Sequence, residues 1–171
     1  MSAVIDARAR AKIQPVAEET IQGEYLQSLR LIERLHRLLL DVIKDEFQRQ
    51  GGSDLNSVQA LLIYNIGESE LTAGDLKRGG YYLGSNVSYN LKKLVDMGYI
   101  HYKRSDTDRR SVRVSLTDKG LDACDIVSKL YNRQLGSVQS VGEVTADDIK
   151  GLNKALVRLE RFWSDQIRYR L

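Results

Sequence analysis

Hydrophobic positions along the chain fall into two periods. From about Ile21 to Gln50 the spacing is helical, with Tyr25, Leu29, Ile32, Leu39 and Ile43 on one stripe. Leu26, Leu31, Leu35, Leu38 and Val42 widen that stripe beyond a single face. A helix apolar on most sides is expected to be covered from more than one direction, and a second subunit is a natural source of cover. Gly51 and Gly52 end it. A short helix follows, with Val58, Leu61, Leu62 and Ile66 inward, Asn56 as its N-cap and Gln59 three residues later as in a capping box. Thr72 to Asp75 opens another, anchored by Leu76, and a minor strand is expected near Glu70–Thr72, pairing with the hairpin described next.

The stretch Leu83 to Leu116 changes period midway. Val87, Leu91, Leu94 and Val95 form the apolar stripe of a helix whose other face carries Ser85, Asn86, Ser88, Tyr89, Lys92 and Lys93. Gly98 stands where a helix C-cap takes a left-handed residue. Beyond it Ile100, Tyr102 and Arg104 alternate with His101 and Lys103, and Val112, Val114 and Leu116 alternate with Arg113 and Ser115. Period two on both sides of a polar tip, Ser105 to Ser111, predicts a β-hairpin. A helix with a basic outer face followed by an arginine-tipped hairpin has the layout of a winged helix.

Helical spacing then returns. Thr117 opens a helix to about Gln139 along Leu121, Cys124, Val127, Leu130, Leu135 and Val138. Thr145 to Asp148 resembles a capping box before a last helix, where Ile149, Leu152, Leu156, Leu159, Trp163 and Ile167 form a coiled-coil-like seam. The predicted class is mostly α with a small β-hairpin wing. Its organisation is an N-terminal arm (1–20), a dimerisation helix (21–52), a winged helix-turn-helix DNA-binding region (53–116) and C-terminal dimerisation helices (117–171). The arm reads equally well as a mobile tail or as a segment crossing to a second subunit.

Charge sharpens this picture. Lys77 to Arg113 holds nine Lys/Arg against three Asp/Glu, a balance of +6, whereas the whole chain balances at +3. The rest is therefore net acidic, and positive charge gathers where the helix and hairpin lie, as expected of a phosphate-backbone binder. The alternative is a solvated basic face without a partner. One proline, Pro15, suits a mostly helical chain. No apolar run approaches the length of a membrane span, and the N-terminus lacks the apolar core of a signal peptide. The single cysteine, Cys124, permits no internal disulfide. These features predict a cytoplasmic protein.

The run Arg104 to Gly120, RSDTDRRSVRVSLTDKG, resembles the wing signature of the MarR family of bacterial transcription regulators. Its elements are an arginine, a D-x-x-D-R-R-like tip, a β-branched return strand and L-T-x-x-G at the next helix. LVDMGYI, Leu94 to Ile100, resembles the family's exit from the recognition helix. The likeness covers about Tyr25 to Ile167. It departs at Tyr81-Tyr82-Leu83-Gly84, where the family usually carries a Ser/Thr-rich entry. Within the family the chain faintly resembles an LdtR-like branch of cell-envelope regulators.

The resemblance implies a homodimer that binds a near-palindromic operator in double-stranded DNA. Ser85, Asn86, Ser88 and Tyr89 are expected at base edges, with Asn86 suited to a bidentate contact with adenine. Lys92, Lys93, Lys77 and Arg78 are expected on phosphates, and Arg109 or Arg110 in the adjacent minor groove. Arg104 and Asp108 are expected to brace the wing, and Tyr99 and Tyr102 to pack the hairpin. The family also implies a small-molecule effector where the long first helix, the short helix after it and the helix opening at Thr117 meet. Leu29, Glu33, Leu61, Tyr64 and Leu121 are the candidate lining residues, although each also reads as ordinary core.

Other chemistries are poorly supported. His36 and His101 have no Cys or His at ligand spacing, so no metal site is expected. No phosphate-cradling loop or catalytic triad is legible, and neither an enzyme nor a cofactor is expected. Cys124 lies on an apolar stripe between Asp122 and Asp125 and reads as a packed, inert thiol rather than a redox sensor. The rival function is a winged helix used for protein–protein contact without DNA.

Overall fold

The computed structural model describes residues 16–72, 75–76, 84–104 and 112–169, without the side chains of 16–20, 84–87, 104 and 112. The described residues up to Val58 and those from Gln59 onward form two compact units.

The first unit contains α1 (Val16–Arg49), which begins earlier than the expected Ile21. No proline or glycine stands between Val16 and Ile21 to break a helix. Ile43, Glu46 and Phe47 are buried near its C-terminus. Toward the N-terminus the widened stripe is open: Ile21, Leu26, Leu31, Leu35 and Leu38 are all exposed.

α2 (Ser57–Ile66) starts directly after Asn56 and runs into the second unit, where Leu62, Ile63 and Ile66 are buried. β1 (Leu71–Thr72) is the expected minor strand. Thr72 then caps the turn that follows: its backbone N–H and hydroxyl donate to Asp75 Oδ2, at 2.9 and 2.6 Å, while Asp75 N–H donates to the Thr72 hydroxyl at 3.0 Å. This reciprocal arrangement seats Leu76, which is fully buried.

α3 (Gly84–Asp96) and the hairpin β2 (Ile100–Arg104) and β3 (Val112–Leu116) form the centre of the second unit. β3 is the middle strand of an antiparallel sheet of order β1-β3-β2. The register pairs Ile100 with Leu116, Tyr102 with Val114 and Arg104 with Val112, and sets Leu71 opposite Val114. Period-two spacing thus puts Ile100, Val114 and Leu116 on one buried face. They join Leu62, Ile63, Leu76, Leu91, Leu94 and Val127 in the core.

α4 (Asp118–Val138) is capped by Thr117, whose hydroxyl accepts from Gly120 N–H at 3.1 Å. Ala123, Val127 and Leu130 carry its buried face. Leu121, expected on the inward stripe, is exposed, as are Leu135 and Val138 near the far end. α5 (Ala146–Tyr169) opens with the expected box, in which Thr145 N–H donates to Asp148 Oδ2 at 2.9 Å and Asp148 N–H returns to the Thr145 hydroxyl at 3.2 Å. No residue of α5 is buried, so the predicted seam lies open along this helix.

Candidate nucleic-acid interface

α3 is built to turn one face outward. Leu91 and Leu94 are buried, and on the opposite arc Ser88, Tyr89, Lys92 and Lys93 are exposed. Lys93 Nζ lies 6.0 Å from the centroid of the Tyr89 ring, one turn earlier, at the outer limit of a cation–π contact. Tyr89 is 62% exposed. The backbones of Ser85 and Asn86 lie in the first turn of the same helix, and their side chains fall outside the described residues. Lys77, Arg78, Asp108, Arg109 and Arg110 also fall outside the described residues, as does the side chain of Arg104.

Two expectations for this region need correcting. Val95, assigned to the inward stripe, is 37% exposed because it lies at the edge of the buried arc near the end of the helix. Tyr102, assigned to hairpin packing, is half exposed. It shares the sheet face of Ile100 but stands two residues closer to the wing tip. With Ser88, Leu91, Lys92 and Val95 it lines an open cleft of about 390 Å³ between α3 and β2. Tyr99 does pack as expected and is 5% exposed.

The wing is braced by a pair that sequence periodicity did not single out. Arg113 Nη1 on β3 donates to Glu70 Oε2, just before β1, at 3.2 Å. Both side chains are about half exposed, so the pair ties the sheet edge more than it stabilises the fold. Pairing between residues so far apart in the chain becomes visible only once β1 is placed beside β3.

The exit from α3 is held closely. Gly98 adopts φ 76°, with its N–H donating to Val95 O and Tyr99 N–H donating to Leu94 O, at 2.9 and 2.8 Å. This is a Schellman arrangement, and it needs a left-handed residue at Gly98. The next carbonyls are taken by the start of α4. Lys119 Nζ donates to Met97 O at 3.0 Å, the Thr117 hydroxyl to Gly98 O at 2.8 Å, and Thr117 N–H to Tyr99 O at 3.1 Å. Lys119 also stands 4.0 Å above the Tyr99 ring.

The other candidates resolve individually. Leu29 and Glu33 lie on α1 in the first unit, where Glu33 pairs with Arg37 at 2.6 Å. Leu61, Tyr64 and Leu121 belong to the second unit, where Tyr64 meets Tyr131 edge-on with centroids 4.9 Å apart. Cys124 is half-buried. Its thiol pKa is raised by burial first, then by Glu68 and Asp125. Asp122, expected to contribute, is two residues away and so points to another side of the helix. Among the described residues no group of acidic, His or Cys side chains could hold a metal ion, and no helix is long and apolar enough to cross a membrane.

Residues 55–120 match the winged helix DNA-binding domain family. The fold is similar to that of a cysteine-to-serine variant of MarR from E. coli complexed with operator DNA, with TM-score 0.64 and 21% identity over 80% of this chain and 96% of that one. It is likewise similar to Streptococcus pneumoniae FabT in complex with DNA, with TM-score 0.59 and 23% identity over 86% and 98% of the two chains. By sequence the chain is 35% identical over 148 residues to the exopolysaccharide II synthesis transcriptional activator ExpG of Rhizobium meliloti, covering 85% of this chain and 74% of ExpG. The chain belongs to the MarR family. As a MarR-type winged helix it is a DNA-binding transcription regulator rather than an enzyme. In MarR terms β2 and β3 are the wing of this fold.

Proposed function

We propose that the protein is a homodimeric, sequence-specific DNA-binding regulator that sets α3 of each protomer into a major groove of a near-palindromic operator. The observation that carries this reading is the division of α3 into a buried apolar arc and an exposed arc bearing Ser88, Tyr89, Lys92 and Lys93. Ser85, Asn86, Ser88 and Tyr89 meet base edges, and Lys92, Lys93, Lys77 and Arg78 neutralise phosphates. Arg109 or Arg110 enters the minor groove beside the wing, with Arg104 and Asp108 bracing the tip. The open apolar faces of α1 and α5 support the assignment of 21–52 and 117–171 to dimerisation and of 53–116 to DNA binding. A small-molecule effector modulates the affinity. A duplex operator places its work in the cytoplasm. ExpG's name makes activation of surface-polysaccharide genes the first target class to try.

The test is binding to a random-sequence duplex across a salt series, followed by sequencing of fragments selected from a randomised pool. The expected result is affinity that falls steeply and linearly in log salt, with a two-fold symmetric consensus among the selected fragments. A protein that binds neither pool at low salt would instead be a winged helix used for protein contact.

A further inference from the structure

The exit of α3 and the entry of α4 are fastened by one short segment. The carbonyls of Met97, Gly98 and Tyr99 accept from Lys119 Nζ, Thr117 Oγ1 and Thr117 N–H respectively. The Thr117 hydroxyl works twice, donating to Gly98 O and accepting from Gly120 N–H, so one oxygen joins the end of one helix to the start of the next. Gly120 closes the joint: a Cβ there would stand 2.1 Å from Tyr99 O, so no side chain fits. Lys119 contributes something different from the backbone bonds. Its ammonium sits at the negative end of the α3 dipole and over the Tyr99 ring, while the side chain remains exposed.

We infer that Lys119 is a positioning residue for DNA reading: it fixes the angle at which α3 leaves the wing junction, and through that the placement of Ser88 and Tyr89 on base edges. The inference rests on the reading of α3 as the base-contacting helix. Lys119 acts on the helix end, not on a phosphate. Base readout needs hydrogen-bond geometry within tenths of an ångström, whereas phosphate attraction tolerates a small tilt. Loss of the latch therefore harms recognition of a preferred sequence more than non-specific binding.

The test uses two probes: a duplex selected by the parent protein from a randomised library, and a random-sequence duplex. Lys119→Met keeps the length of the side chain but removes donor and charge. It is expected to weaken binding to the selected duplex by about three- to ten-fold, as for loss of an exposed charge-assisted bond at a helix end. Binding to the random duplex and the salt slope should stay at parent values. Lys119→Arg, which keeps both donor and charge, should restore most of the lost affinity. If Lys119→Met proves unfolded by circular dichroism, Lys119→Gln takes its place with a loss of the same sense expected. Parent affinity for the selected duplex in the Met variant overturns the inference. So does equal loss from both probes with a salt slope flatter by about one, since the ammonium would then be a phosphate contact. Failure of Lys119→Arg to recover binding overturns it as well. Asn86→Ala, measured alongside, reports separately on the reading of α3: retained base preference there rejects that reading, whatever Lys119 does.

Discussion

Cys124 illustrates how a side chain's setting decides its chemistry. Burial, Glu68 and Asp125 all disfavour its thiolate, so its ionisation moves above the ordinary 9.0. Thiolate is the reactive form, and little of it exists at neutral pH. Alkylation of the folded protein near pH 7.5 is expected to run more slowly than that of a free model thiol, with the rate still rising as the pH passes 9. Cys124→Ser should leave DNA affinity and its response to peroxide nearly unchanged. A peroxide response present in the parent and lost in this variant would make the thiol a sensor. The share of Asp125 in raising the thiol's pKa was legible from its place beside Cys124 in the chain. The part played by Glu68 was not, because that contact joins residues 56 positions apart and exists only after folding. Arg113 and Glu70 were hidden for the same reason: each reads as a solvated charge until β1 pairs with β3.

At the scale of elements, period and punctuation carried most of the information. Alternation in Ile100–Arg104 and Val112–Leu116 located both wing strands, and the observed register sets Ile100 opposite Leu116 and Tyr102 opposite Val114 on one face. Gly98 marked the end of α3 through the left-handed φ it adopts. Gly98→Ala is expected to cost about 1–2 kcal/mol in denaturant unfolding, the penalty of a left-handed L-residue. An unchanged midpoint would mean that the junction relaxes without strain. Gly120→Ala should be at least as harmful for a different reason, since its φ is ordinary and the obstruction is Tyr99 O. Periodicity was less reliable at the rims of elements. Val95, Leu121 and Tyr102 all fit an inward period yet emerge at edges, because spacing gives direction from the axis but not the extent of what lies opposite. The start of α1 is not legible as periodicity because little apolar spacing precedes Ile21, although no proline or glycine there breaks a helix.

For the molecule as a whole, α1 and α5 expose more apolar surface than a self-sufficient protomer would leave in water. Leu35, Leu38, Leu152 and Ile167 are each about half exposed or more. A second copy is the simplest cover, and a two-fold dimer would match an operator of the same symmetry. Sedimentation at micromolar concentration is expected to give a dimer, with dissociation coupled to unfolding of these helices; a folded monomer contradicts this. Leu156→Asp places an unpaired carboxylate in the α5 seam and should weaken the dimer by on the order of several kcal/mol. The same substitution should leave the protein unchanged if the seam faces only solvent.

Division of labour between α3 and the wing is the central claim, and a randomised duplex library read with two variants tests it most directly. Asn86→Ala removes a potential base-edge pair and should relax preference at one symmetric operator position by about 1–3 kcal/mol, with the salt slope little changed. Arg110→Ala removes a cation and should weaken binding across most sequences, flattening the salt slope by about one. The opposite pattern, uniform loss for Asn86→Ala with altered base preference for Arg110→Ala, would contradict the account.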